Sequence, residues 1–308
     1  MSPRRGAESV VPDAEFRSYY GRQIIKTPTW KVPDVPAYLF LGGLAGASAT
    51  MAALADLTGR PRLRRSGLLA AATGAGASVI ALVHDLGRPA RFLNMLRVIK
   101  PTSPLSVGSW ILAPFSGVAA AAAASEVTGL LPRLGRLSGA LSGLVAPAMT
   151  TYTAVLLADT AVPGWHEVHR ELPFVFAGSA VSTAGGIALL TVPTDEAGPA
   201  RRMAVAGAAL ELAAEELMLR DAGLVAEAYR TGAPGTVLRA AKALTCAGAV
   251  VVAVAGRNRR IAAAAGLCLG LAGAATRYGI FEAGRVSARD PKYTVVPQRQ
   301  RLSRTEPE

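Results

Sequence analysis

The sequence predicts an all-α integral membrane protein with eight transmembrane helices arranged as two four-helix bundles. Of its 308 residues, 51% are apolar, and Ala, Leu, Val and Gly dominate. Residues 35–55, 66–83, 101–125, 137–158 and 172–194 contain no Asp, Glu, Lys or Arg. Three more apolar stretches, 200–220, 236–256 and 261–281, carry only a few charges each. At about 1.5 Å per residue, runs of this length cross roughly 30 Å of hydrocarbon.

The elements follow in order. Residues 1–34 are polar and Pro-containing, with no apolar h-region, so the first span is expected to serve as the insertion signal. Residues 35–160 hold the first four spans. The Gly42-Gly43-Leu44-Ala45-Gly46 run supplies the small residues that close helix packing in lipid uses. Residues 161–282 hold the second four spans. Gly185 and Gly186 lie in the fifth, and Glu211, Glu215 and Glu216 in the sixth. Arg239 and Lys242 open the seventh, and Arg277 lies near the end of the eighth. The tail, 283–308, lacks apolar periodicity; like residues 1–14 it is expected to be flexible or ordered by a partner. Pro36 to Gly42 lines up loosely with Leu172 to Gly178, and His84-Asp85 with Arg220-Asp221. This reads as parallel rather than inverted repeats.

The net charge is +12. Its basic residues are spread over every loop and both tails, with no basic stripe interleaved with aromatics, so no nucleic-acid partner is expected. The N-terminal tail and the 84–100 loop are as basic as the short loops opposite, which leaves the orientation open. An even number of spans puts both termini on one side. Cys246 and Cys268 fall inside the seventh and eighth spans and read as small packing residues. Without clustered cysteines the chain holds no iron–sulfur centre of its own. The Ala, Gly and Arg bias suggests a high-GC bacterial source, and hence the inner membrane.

Counting spans alternately collects the polar residues on one face. That face receives His84, Asp85 and Arg88 after span two, and Ser106, Ser109 and Trp110 at the start of span three. Tyr152 and Asp159 at the end of span four join them, as do Trp165, His166, Glu167, His169 and Arg170 in the next loop. All three histidines are there. Ionisable groups beside hydrocarbon-length segments mark function more often than folding. A haem anchor would need histidine pairs on facing helices, and none exist, so no haem is expected. His166, Glu167 and His169 match no strong metal spacing, and no metal site is expected. A quinone site fits better: a head group needs donors to its carbonyls and a nearby titratable group at the rim of the bilayer.

The residues also resemble a family. Trp30 to Gly46, Asp85-Leu86-Gly87-Arg88-Pro89, Pro101 to Trp110, Tyr152-Thr153-Ala154-Val155-Leu156-Leu157 and Leu172-Pro173-Phe174-Val175-Phe176 are similar to the NrfD/PsrC family. These are integral-membrane subunits of polysulfide reductase-like molybdopterin oxidoreductase complexes, and the similarity extends over residues 15 to 285. It implies an eight-span, non-haem subunit that binds menaquinone or ubiquinone. A ferredoxin-like iron–sulfur subunit would dock nearby, and the molybdopterin site would lie on a further catalytic subunit. The family's quinone residues map onto Asp34, Tyr38 and Tyr152. The usual Gly of its span-four motif is Ala154 here.

Each residue has a plainer alternative. Tyr38 and Trp30 suit an interfacial aromatic belt, whereas Tyr152 lies deeper in its span. His84 and Asp85 are candidates for redox-linked proton exchange or for a cap pairing with Arg88. Arg88 is a quinone contact or, like Arg91, a ligand for lipid phosphate or a partner subunit. Glu211 and Glu215 share a helix face and offer a proton path, or bridge to Arg239 or Lys242. Two function classes stand: an electron-transfer membrane subunit, and a secondary transporter or proton-translocating protein with no redox partner.

Overall fold

Every predicted apolar run forms a helix in a computed structural model that describes residues 24–305; no strand occurs among them. The expectations for residues 1–14 lie outside the described residues. In chain order the helices are α1 (Asp34–Leu57), α2 (Pro61–Asp85), α3 (Ala90–Met95), α4 (Pro104–Thr128), α5 (Pro132–Ala158) and α6 (Pro163–His166). Then follow α7 (Leu172–Thr191), α8 (Gly198–Asp221), α9 (Ala226–Arg230), α10 (Gly232–Ala255), α11 (Arg259–Arg289) and α12 (Lys292–Thr305). Proline opens α2, α4 and α5 and sits in the first turn of α7 and α8, where its missing N–H would have had no intrahelical partner. The Asn258 side chain caps α11 by accepting from Arg260 N and Ile261 N.

Seven of these helices are long and apolar enough to cross a membrane: α1, α2, α4, α5, α7, α10 and α11. Helix α8 has 24 residues, as many as α1. It falls outside that set because Arg201, Arg202, Glu211, Glu215, Glu216 and Arg220 interrupt it. Its buried positions, Ala200, Ala204, Gly207, Ala208, Glu211, Ala214 and Met218, nevertheless recur every three or four residues. That stripe is the face one helix presents to its neighbours. Ile80, Leu144 and Val254 are 71%, 77% and 83% exposed, an arrangement that suits lipid as the surrounding solvent.

Helices α1, α2, α4 and α5 pack on one another, as do α7, α8, α10 and α11, and α1 lies against α7 and α11 where the groups meet. The approach of α7 to α8 is backbone to backbone: a methyl at Gly178 or Gly207 would strike the main chain opposite.

The C-terminal segment differs from the sequence expectation. Helix α11 continues to Arg289, because Ala283, Gly284, Ser287 and Ala288 carry a buried face past the apolar run. Helix α12 follows, with Tyr293 only 3% exposed. Lys292 Nζ donates to Glu227 Oε1 at 2.9 Å, and this bond holds the ammonium above the usual lysine range. One aromatic and one lysine thus fix a segment whose composition reads as a solvated tail.

Candidate functional site

At the end of the bundle where α1 begins and α2 ends, four of the predicted residues form two pairs. His84 Nδ1 and Asp34 Oδ2 are 2.7 Å apart. The His84 side chain is 74% exposed and that of Asp34 14%. One helical turn further along α1, the hydroxyl of Tyr38 is hydrogen-bonded to that of Tyr152 on α5. The two rings meet edge to face at 6.3 Å, with 3% and 7% of the residues exposed. The Tyr38 carbonyl accepts Ser78 Oγ from α2 at 3.2 Å. Two pairs of titratable groups thus lie a helical turn apart on α1, one opening to solvent at His84 and one a buried phenol pair. Full burial sets both tyrosines apart from belt aromatics, which keep their polar tips at the interface.

Tyr152 needs space on α4. A methyl at Gly108 would lie 2.6 Å from its ring. Gly108→Ala should therefore displace the ring and lower stability by about 1–3 kcal/mol, the usual range for overpacking. Chemical unfolding in detergent checks this; an unchanged midpoint would mean that the ring is not packed there.

The remaining predicted residues divide. Asp85 Oδ1 accepts Lys31 N at 2.8 Å, and Lys31 Nζ donates to His84 O at 3.1 Å, so the turn is tied to the segment before α1. The expected cap between His84, Asp85 and Arg88 is not formed. The Arg88 side chain is exposed and makes no hydrogen bond or ion pair among the described residues. Arg91 Nη1 donates to Leu86 O within its own turn.

Glu211 is 2% exposed, and its Oε1 accepts Thr276 Oγ1 of α11 at 2.8 Å. Glu215 is half-buried. The bridges from these two to Arg239 or Lys242 do not form: Lys242 and Arg220 both go to Glu216, and Arg239 binds Arg230 O.

Sequence reasoning undervalued Arg277. It is 1% exposed, donates from Nη2 to Phe176 O at 2.7 Å and places its guanidinium 3.8 Å from the Phe176 ring centroid. It lies against α1, since a methyl at Gly43 would be 3.2 Å from its Nη2, and within electrostatic reach of Glu211. Its Nε and Nη1, like Glu211 Oε2, Ser179 Oγ and Thr153 Oγ1, have no hydrogen-bond partner among the described residues. A polar seam therefore lies where the two helix groups meet.

Trp165 was also undervalued. It is fully buried, donates from Nε1 to Ile280 O at 2.9 Å and forms a three-ring cluster with Trp30 and Phe281, 5.5 and 5.6 Å away, which are themselves 6.4 Å apart. Trp30 is thus an anchor for the segment before α1. His166 and His169 stack at 5.8 Å, and each directs Nδ1 at a backbone carbonyl, Ala158 O and His166 O respectively. A carbonyl oxygen only accepts, so each ring donates from Nδ1–H. Both rings line a cavity of about 480 Å³ between the start of α4 and the end of α5, with Val107, Val155 and Asp159. They also line a second, of about 470 Å³, with Ile24, Ile25, Tyr293 and Gln298. No group of three or more His, Cys, Asp or Glu suited to a metal occurs among the described residues.

Apolar helices, lipid-facing side chains and ionisable groups gathered at one end define a multi-pass membrane protein. The chain belongs to the NrfD polysulphide reductase family, whose family profile matches residues 25–202, more than half of its length. Comparison with curated proteins gives no match. The matched region contains both tyrosines, Asp34 and all the histidines, whereas Glu211, Glu215 and Arg277 lie beyond it.

Proposed function

We propose that this protein is the quinone-binding membrane anchor of a respiratory oxidoreductase complex in the bacterial inner membrane. A ferredoxin-like iron–sulfur subunit and a molybdopterin catalytic subunit are its partners. It exchanges electrons between that iron–sulfur subunit and menaquinone or ubiquinone at the membrane face that carries the histidines, with linked proton transfer. The observation that carries this reading is the placement of two hydrogen-bonded pairs one helical turn apart on α1, His84 with Asp34 at the solvent end and Tyr38 with Tyr152 buried beneath.

The topology is eight spans in two four-helix bundles, with α8 as the eighth. The segment at Ile24 and Ile25 and helix α12 border the same cavity, which supports both ends lying on one side and thus an even number of crossings. At about 1.5 Å per residue, α8 is long enough to cross the bilayer.

The cavity beside His166 and His169 has the size of a small-molecule site and an apolar opening at Val107 and Val155, both partly exposed. Tyr152 does not line this cavity; it lies one turn before Val155 on α5, buried behind it. A quinone bound there supplies a two-electron, two-proton redox couple. The chain's own part is to present hydroxyl donors to a carbonyl and to carry protons. Within the Tyr38–Tyr152 pair one hydroxyl donates to the other and the second is left to donate outward, Asp34 accepts, and exposed His84 exchanges with water. Glu211 and Glu215 form a second, deeper proton path towards the seam around Arg277, which reaches α1 at Gly43. The Arg88 side chain, without a partner among the described residues, is available to a head group or to the docking subunit.

Titrating the purified protein with a fluorescent hydroxyquinoline-N-oxide quinone analogue tests the reading. Saturable quenching is expected at one site per chain, weakened at least tenfold in Tyr152→Phe. No binding, or solute movement by the isolated chain in vesicles, would replace it with the transporter reading.

A further inference from the structure

A third cavity, of about 540 Å³, lies at the opposite end of the bundle between the first turns of α8 and the last turn of α10. Its walls are apolar, with Val205, Ala209 and Val254 among them, and its rim carries Arg201, Arg202 and Arg257. No carboxylate lines it. Arg201 is committed to the backbone, donating from Nη1 to Thr194 O at 3.2 Å and Gly256 O at 3.5 Å. The side chains of Arg202 and Arg257 are exposed and make no hydrogen bond or ion pair among the described residues.

The nearest acidic residues in the chain, Asp195 and Glu196, do not neutralise them. Asp195 lies 3.6 Å from Arg62, and Glu196 accepts the backbone N–H groups of Arg62 and Leu63 at the start of α2. A groove at the same end of the bundle shows the contrast. It is lined by Arg64 and Arg136 but also by Asp56, and Arg64 is bound to Asp56 at 3.1 Å and to Glu126. There the charge is cancelled within the protein. Between α8 and α10 it is not, and the N-terminus of α8 adds the positive end of a 24-residue helix.

We infer that this groove binds an anionic phospholipid, with the phosphate held by Arg202 and Arg257 and an acyl chain along Val205, Ala209 and Val254. Charge complementarity selects the anionic head group, because two unpaired guanidiniums at the interface attract phosphate and have no acid to compete with it. The apolar wall beneath them distinguishes a lipid from free phosphate. The bound lipid fills the lipid-facing side between α8 and α10 and steadies the most highly charged long helix of the bundle.

Native mass spectrometry of the purified full chain tests this, with phosphatidylglycerol and phosphatidylcholine of identical acyl chains added after delipidation. Phosphatidylglycerol should bind more tightly than phosphatidylcholine. Arg202→Gln/Arg257→Gln should reduce its affinity roughly thirtyfold, since each interfacial arginine contributes about 1 kcal/mol. Both side chains are exposed, so the variant should keep its fold, which a thermal melt verifies. Arg133→Gln, at the same end but away from the groove, should retain full binding. Unchanged affinity in the double variant overturns the inference, as does equal loss in Arg133→Gln, which would mean bulk charge attraction only. Thermal stabilisation by inorganic phosphate equal to that by phosphatidylglycerol overturns the lipid assignment in favour of a phosphate site.

Discussion

Replacing Arg277 by Met is expected to destabilise the protein by about 1–3 kcal/mol, the cost of leaving a buried acceptor without its donor. The guanidinium is 1% exposed and donates to Phe176 O at 2.7 Å. It also stands over the Phe176 ring and is the positive charge within reach of Glu211. Methionine fills much of the volume but leaves the Phe176 carbonyl without this donor and the Glu211 carboxylate without compensation. The double variant Arg277→Met/Glu211→Gln should regain a large part of the loss, because the amide keeps the bond from Thr276 and carries no charge. Reversible unfolding in detergent for the four members of the cycle gives the coupling, expected at 1 kcal/mol or more. Additive losses would show that the two residues act independently and would remove the electrostatic basis of the seam.

Most of the fold is legible in the sequence because lipid imposes a one-dimensional rule: a chain that crosses it must satisfy its backbone within each helix. Charge-free runs such as 35–55 and 137–158 therefore became α1 and α5 almost unchanged. The rule fails where burial is in protein rather than lipid. Helix α8, read as the sixth span, carries enough charge to fall outside the seven helices that are long and apolar enough to cross a membrane, yet Glu211 is buried because Thr276 meets it from α11. Helices α11 and α12 outrun their apolar run because Trp165 and Tyr293 supply contacts that no local periodicity encodes.

The site divides along the same line. His84 and Asp34 are distant in sequence, as are Tyr38 and Tyr152, and their shared membrane face was readable from span parity alone. That they form two hydrogen-bonded pairs was not readable, since parity fixes depth but not which helices are neighbours. Arg277 gave a signal that span counting discounted. A guanidinium inside a hydrocarbon-length run near its end looks like a residue that snorkels to the interface. The 31 residues of α11 instead place it well inside the helix, facing the other group.

Tyr152→Phe is expected to lower quinone-linked turnover of the assembled complex about a hundredfold, the lower end of what a positioned proton donor contributes. The ring and its packing on Gly108 remain, so the fold should persist; only the hydroxyl that pairs with Tyr38 is lost. Loss of a donor alone would leave analogue affinity reduced by roughly tenfold, much less than turnover, because binding also draws on the apolar wall. His84→Ala separates proton delivery from architecture. Its side chain is 74% exposed and its contact with Asp34 lies at the surface, so stability should change little while turnover falls about tenfold. Added imidazole, small enough to reach Asp34 from solvent, should restore part of that rate in His84→Ala and none of it in Tyr152→Phe. Rescue of neither variant, together with normal turnover in His84→Ala, would detach the histidine from proton delivery and leave the tyrosine pair supplied by another route, for which the seam at Glu211 and Arg277 is the next to test.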